Sequence, residues 1–557
     1  MKSVRWLKQA SEEPTSSRYK PGATDVLFVL LSFSILLVML LTTDRRYLDF
    51  GDGNYLYISW RFLEGVTLYR DILTPQPPVL FIIGATLLKV GDSWKVVRLF
   101  NILLGIATAF LVYKVSVDLF DNRKIALIAG ATYYMLPIHL LWGRGFEADS
   151  LVTLFSLLSF MFFKAFNPKG MVLASLFTVL AIYTKYSFLP VLVFNLLYLW
   201  LRERRMFKFY SAPIAVLGIA TLVSLNIYSS GLFIWDTLIF QSKAPGYPFD
   251  IPIDIALSGL SFIFSGEGAF IFLSLIGLLS LANRKKSRAD YFAGNLLSSF
   301  VPLGLIFRQG TGTYIFYSAE PYIAIFSAYF IYELVVVYGQ RSMLAVNHLN
   351  ILRSKFFLRL FLIGLSTSSL YLMPCIDLCF KQGIDFQRFR NWSNAEQVEV
   401  IVDYIENYTS KNDAILSPPY FAFLTQRKLL FDYSETWLWL VLYENGESCA
   451  MELVKAITSR LESSSVKLVI LDLRMKTIEP IYKAILQNYI LVRRVLAYDM
   501  LEVYIPKSVH IKPFQSTYEP ISERTISLVW QLQSPGIGAA NQKSLGDLNE
   551  DSSSSFL

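Results

Sequence analysis

The sequence predicts an α-helical polytopic membrane protein with a small extracytoplasmic α/β domain near its C-terminal end. Three observations carry this prediction. Hydrophobic residues make up 54% of the 557 and charged residues only 17%, with a mean hydropathy of +0.44, a balance too apolar for a soluble enzyme. Many apolar runs approach the ~20 residues that a ~30 Å hydrocarbon core demands. From residue 376 onward the pattern changes, as hydrophobicity becomes periodic and charges spread out.

Residues 1–24 are polar and basic, with Lys2, Arg5, Lys8, Arg18 and Lys20, and an apolar run from Val26 to Leu41 follows. Glu12 and Glu13, with no small-residue cleavage site after the run, argue against a removed signal. The run therefore reads as a retained first span with its N-terminus in the cytoplasm. Further runs lie at 94–117, 125–142, 150–166, 171–184, 187–201, 209–228, 266–282, 291–307, 314–338 and 357–374, which makes about eleven spans within a membrane domain covering 25–375. Alternate gaps between them are basic: Arg123-Lys124, Lys164 with Lys169, Arg202 to Arg205, Arg284 to Arg288, and Arg341 to Arg359. Basic residues stay on the cytoplasmic side. The net charge of +8 thus reflects topology in a cell membrane and does not call for nucleic acid. An odd number of spans places the C-terminal region outside.

The first outer loop, 42–93, contains the stretch DFGDGNYLYISWRFLEGVTLYRDILTPQPP from Asp49 to Pro78. Tyr55, Ile58, Phe62 and Leu63 recur at helical spacing, with Asn54, Arg61 and Glu64 facing elsewhere, which predicts a short amphipathic helix on the membrane surface. Val79 to Val90, after Pro77-Pro78, is too short to span and reads as interfacial. In 376–506, helical patterns at 395–408, 450–461 and 478–487 alternate with strand patterns at 413–416, 466–471, 489–495 and 501–505, which predicts an α/β domain. The tail 507–557 reads as disordered. Two sequons, Asn391-Trp-Ser and Asn407-Tyr-Thr, fall in the outer domain. Cys375, Cys379 and Cys449, with His139, His348 and His510, show no metal-site spacing and read as bystanders.

The candidate functional residues sit at outer mouths. Asp49 and Asp52, carboxylates near the membrane plane among aromatics, suit a general base; Asp52 alternatively serves as N-cap of the helix it precedes. Glu147 and Asp149, in WGRGFEADS, share a short outer loop with Arg144; ionisable groups there are costly unless paired or functional. Their alternatives are an Arg144–carboxylate pair or an N-cap. Lys185 and Arg308 are outer cations suited to a phosphate head group, or to snorkelling. Tyr314, Tyr317, Glu320 and Tyr322 line a pocket or form an aromatic belt. Residues 231–254 form a further outer loop, a candidate lid. The sequence contains no nucleotide-phosphate loop, Ser-His-Asp order or metal motif, so the lipid bilayer is the expected source of substrate.

The chain resembles the GT-C superfamily of membrane glycosyltransferases, in the branch of protein O-mannosyltransferases and lipid A aminoarabinose transferases, glycosyltransferase family 39. The features that carry the resemblance are Gly51-Asp52-Gly-Asn-Tyr55, Gly65, Tyr69-Arg70-Asp71, Pro77-Pro78, Asp149-Ser150, Lys185, and Arg308 through Pro321. Two positions depart from the family pattern. Gly51-Asp52 stands where an Asp-Glu pair is usual, so the catalytic acid is Asp52 or Asp49. Gln76 stands where some relatives place a phosphate-binding lysine, which shifts that role to Lys185 and Arg308. The resemblance implies sugar transfer from a polyprenyl-phosphate donor to a protein, lipid or glycan hydroxyl. Asp52 would act as base, Asp149 and Glu147 would position substrate, and Tyr55, Tyr69, Gln76 and Glu320 would line the site. It requires no cofactor, although some relatives bind a divalent metal. A multi-pass transporter or flippase is the alternative; it predicts internal repeats and mid-span charges.

Overall fold

The computed structural model describes residues 22–41, 50–91, 93–143, 145–240, 253–282, 289–307, 313–339, 395–496 and 500–509. The membrane part comprises α1 (Ala23–Leu41), α2 (Phe50–Leu63), α3 (Val79–Val90), α4 (Trp94–Phe120), α5 (Arg123–Met135), α6 (Pro137–Trp142), α7 (Ala148–Phe163), α8 (Pro168–Ile182), α9 (Leu189–Arg202), α10 (Arg204–Tyr228), α11 (Ile253–Ala282), α12 (Ala289–Phe300) and α13 (Glu320–Gly339). Each apolar run from 94–117 to 314–338 falls on helix; 357–374 lies outside the described residues. Among the described residues three helices, α1, α4 and α10, are long and apolar enough to cross a membrane by length and composition.

Local chemistry sets the ends. Ser93 accepts the Lys95 amide ahead of α4, and Asn122 accepts the amides of Lys124 and Ile125 ahead of α5, which satisfies donors that a helix start leaves open. Asn167 caps α8, with Pro168 in its first turn. The single run 125–142 is divided, because Pro137 forces Leu136 into extended backbone (φ −64°, ψ 128°). Apolar side chains of α10 such as Val216, Ile219 and Ile227 are exposed, as lipid-facing residues must be.

The C-terminal unit contains α14 (Ala395–Tyr408), α15 (Pro419–Thr425), α16 (Thr436–Glu444), α17 (Ser448–Glu462) and α18 (Glu479–Asn488), with strands β1 (Ala414–Ile415), β2 (Lys428–Leu429), β3 (Val469–Leu471), β4 (Tyr489–Leu496) and β5 (Met500–Pro506). β5 lies between β3 and β4, antiparallel to both, and β1 pairs in parallel with β2. Ile470 N–H donates to Leu416 O at 2.7 Å, carrying β1 onto β3. The α/β prediction holds here.

Two cores result. One lies inside the bundle, built from residues such as Phe28, Tyr133, Phe160, Tyr291 and Phe326. The other is continuous across both parts and joins Leu56, Tyr57 and Phe146 to Ile401, Tyr420 and Ile470.

Candidate active site

The site is organised by α2, which has two faces. Gly53, Tyr57 and Arg61, four residues apart, form one stripe. Asp52, Leu56 and Ser59 lie on the other.

The first stripe docks on the C-terminal unit. Tyr57 Oη donates to Asp432 Oδ1 at 2.5 Å and accepts the Leu429 amide at 2.9 Å. Arg61 grips the same carboxylate with Nε (2.8 Å) and Nη2 (3.0 Å), and also pairs with Glu64. Such a fork is among the stronger charge-assisted contacts. Phe431 and Asp432 adopt φ of +61° and +50°, a backbone cost of about 1–3 kcal/mol each that the surroundings must offset. A Cβ on Gly53 would stand 2.2 Å from Tyr420 Cβ and 2.8 Å from its Cα. Gly53→Ala is therefore expected to cost about 1–3 kcal/mol, read as a lower melting temperature of the purified protein.

The surface-helix prediction is corrected accordingly. Leu56, Tyr57 and Ile58 are all fully buried, so α2 lies between the bundle and the C-terminal unit. Its polar face looked solvent-exposed because periodicity cannot distinguish water from a polar partner hundreds of residues away.

On the other face, Asp52 Oδ2 accepts Arg98 Nη2 at 3.2 Å, and Oδ1 accepts the Phe146 amide. Asp52 and Arg98 are both buried, at 1% and 2% exposure. Asp52 is the third residue of α2; it does not precede the helix, so the N-cap alternative falls. Arg98 also lies over the Trp94 ring at 4.9 Å. One turn along α4, Asn101 Nδ2 donates to Gly145 O at 2.8 Å. One face of α4 thus holds both Asp52 and the 145–149 loop.

That loop feeds α7. Glu147 occupies its N-cap position without a side-chain cap bond, and Asp149 its first turn; both are buried. Asp149 Oδ2 accepts Lys185 Nζ at 2.6 Å. The predicted cation and the predicted acid are therefore partners. The Lys185 turn in turn holds the proline pair, since Tyr183 O accepts the Val79 amide at 3.1 Å. Tyr69 Oη donates to Gln76 O at 3.0 Å and meets Phe233 edge-on at 4.9 Å. Tyr55 is half-buried, its ring 6.1 Å from that of Phe81.

Glu320 sits deeper. It opens α13, fully buried, and accepts the His139 amide at 2.8 Å, while Glu267 accepts the Ile138 amide at 3.1 Å. The two acids satisfy the first turn of α6. His139 Nδ1 lies 2.7 Å from Tyr317 Oη, a buried contact that ties α6 to the segment ahead of α13. Tyr317 and Tyr322 are buried and hydrogen-bonded, the latter at 3.2 Å from Ser156 Oγ, and form no interfacial belt. Asp49, Arg308, Arg144, Cys375, Cys379, Asn391, His348, His510 and residues 241–252 of the candidate lid lie outside the described residues.

Three site residues escaped the sequence reading. Arg98 had a signal, a cation in the first turn of an apolar run. Asp236, buried, accepts the Thr74 amide at 3.4 Å, and burial pushes its carboxyl up to about 8. Glu435 is buried against α2 with its carboxyl hydrogen-bonded to Asn54; burial pushes it up to about 7, against the pull of Asn54 and Arg474. Its ordinary value is 4.5. Between those two pH values the folded protein holds a proton that the unfolded chain has released, so stability falls as pH rises through that window. Glu435→Gln is expected to match wild type near pH 5 and to be more stable above pH 7, by at most about 3 kcal/mol, as thermal melts across pH will read.

Among the described residues no three His, Cys, Asp or Glu side chains gather as metal ligands. The ion pairs Asp52–Arg98 and Asp149–Lys185 sit in a helical bundle that shares a core with an α/β unit. The family model described as dolichyl-phosphate-mannose-protein mannosyltransferase matches residues 75–229. In structure the chain is similar to ArnT from Cupriavidus metallidurans bound to undecaprenyl phosphate, with a TM-score of 0.60 and 14% identity over 88% of this chain and 100% of that one. Apo ArnT from the same organism gives 0.56 and 13% over 86% and 97%. An Archaeoglobus fulgidus oligosaccharyltransferase in complex with Zn and sulfate gives 0.48 and 14% over 82% and 71%, too slight a likeness to bear on metal binding here. No curated protein matches in sequence. The fold is that of the GT-C glycosyltransferases, and the resemblance drawn to the family 39 branch holds.

Proposed function

We propose that this protein moves a sugar from a polyprenyl-phosphate donor to an acceptor hydroxyl at the extracytoplasmic face of a cell membrane. The observation that carries the proposal is the buried Asp52–Arg98 pair set beside the Asp149–Lys185 pair across the Gly145–Asp149 loop. Undecaprenyl phosphate in the similar ArnT structure supports a polyprenyl-phosphate donor. The transporter alternative draws no support from the comparisons.

In this scheme Asp52 takes the acceptor proton as the hydroxyl oxygen attacks the anomeric carbon in line, with inversion. The bond from that carbon to the phosphate oxygen breaks, and polyprenyl phosphate leaves. Lys185 carries three N–H donors, one of them given to Asp149. With Arg308, these stabilise the charge that develops on the leaving phosphate. Asp149 and Glu147 fix the Lys185 turn and the acceptor, while Tyr55, Tyr69 and Gln76 line the donor sugar's side. Glu320 acts from behind by holding α6. The scheme needs no metal and is compatible with one.

The test is transfer in membranes supplied with radiolabelled polyprenyl-phosphate sugars. Label moving to an endogenous acceptor only when the intact protein is present is the expected result. No movement from any donor, with the protein inserted and folded, sinks the reading.

A further inference from the structure

The seam between α2 and the C-terminal unit carries polar atoms that the contacts described so far do not use. Glu435 stands at the N-cap position of α16, and Thr436 opens the helix. Residues 435, 436 and 439 share one helix face by their three- and four-residue spacing. That face is aimed at α2, because the Glu435 carboxyl is hydrogen-bonded to Asn54. Its other flank reaches the outer loops: Ser434 Oγ donates to Leu73 O at 3.4 Å, and Trp439 packs in the cluster that holds Leu73, Trp235 and Phe240. The stretch 434–439 therefore roofs the ground between Asn54, two residues past Asp52, and the 73–76 segment.

On this roof Thr436 Oγ1 and Trp439 Nε1 are buried, and so is Asn54 Oδ1 beneath it; none has a hydrogen-bond partner among the described residues. Buried polar atoms without partners are rare and costly, so three along one seam require an explanation. They offer an acceptor, a donor and a hydroxyl that is both, beside an indole wall and a carboxyl. Sugar hydroxyls, which donate and accept and ride on an apolar ring, fit this set.

We infer that Asn54, Glu435, Thr436 and Trp439 form a pyranose-binding subsite through which the C-terminal unit holds the hydroxyls of a sugar at its seam with α2. The inference deepens the transferase reading and rests on it. The sugar belongs either to the donor or to a glycan acceptor.

The full-length protein in nanodiscs, as wild type, Thr436→Val and Trp439→Phe, separates these cases. The probes are undecaprenyl phosphate, the same lipid carrying mannose or glucose, and the free methyl pyranosides of mannose, glucose, galactose and xylose. One lost hydrogen bond is worth a few-fold to about tenfold in affinity. A loss of that size for a sugar-bearing lipid, with bare undecaprenyl phosphate unaffected, assigns the subsite to the donor sugar. The same loss confined to a free pyranoside assigns it to the acceptor. If wild type and both variants bind every probe alike, and the variants melt higher because an unsatisfied polar atom is gone, the subsite is overturned. If wild type binds pyranosides but neither class of lipid, the subsite stands and the polyprenyl-phosphate reading falls.

Discussion

Asp52→Asn is expected to lower sugar transfer by about 10²- to 10⁴-fold, the range of a lost general base. The amide keeps the shape of the carboxylate, but its one oxygen can accept only one of the two contacts that Oδ1 and Oδ2 make with the Phe146 amide and Arg98 Nη2, so some stability is lost alongside. The amide cannot take a proton. The loss should fall on kcat, with donor affinity little changed, because Asp52 faces the acceptor in this scheme. Single-turnover transfer by purified protein, with donor binding measured alongside, checks both halves. Undiminished transfer in Asp52→Asn would remove this residue from the chemistry and leave Asp49 as the other candidate base.

Lys185→Met carries the second large effect, on both stability and rate. Asp149 is 3% exposed and Lys185 15%, so removing the lysine strands a buried carboxylate. Breaking one side of such a pair costs about 3–5 kcal/mol. The double variant Asp149→Asn with Lys185→Met removes both charges and should recover most of that loss in thermal melts. It should not recover transfer, which lacks the cation facing the departing phosphate. A double variant as active as wild type would show the pair to be structural only.

Much of the fold was legible because the bilayer is a strict solvent. Apolar runs and basic gaps report it directly, and the 27-residue stretch from Trp94 to Phe120 illustrates how little else is needed. The α/β unit was legible from its periods, since α14 begins and ends where the amphipathic pattern of AEQVEVIVDYIENY does. The site was legible by residue type but not by partner. Asp52, Asp149 and Lys185 stood out as charges at apolar mouths, yet nothing local announces that Asp149 holds Lys185 or that Arg98 holds Asp52. Asp432, Glu435 and Thr436 had no signal at all, because their role depends on a helix more than 370 positions upstream.

That separation has a consequence for how the protein is made. Tyr57 and Asp432 are 375 positions apart in the chain. At about 5–20 residues per second, translation needs roughly 20–75 s to cover that distance. Throughout this interval the stripe of α2 has no partner, and Gly53, Tyr57 and Arg61 face whatever surrounds them. The helix bearing Asp52 acquires its final seat only when the C-terminal unit has been made and folded. A chain truncated before residue 429 lacks every one of these contacts and is expected to leave α2 unseated, as protease sensitivity of the 50–63 segment in such a truncation will read.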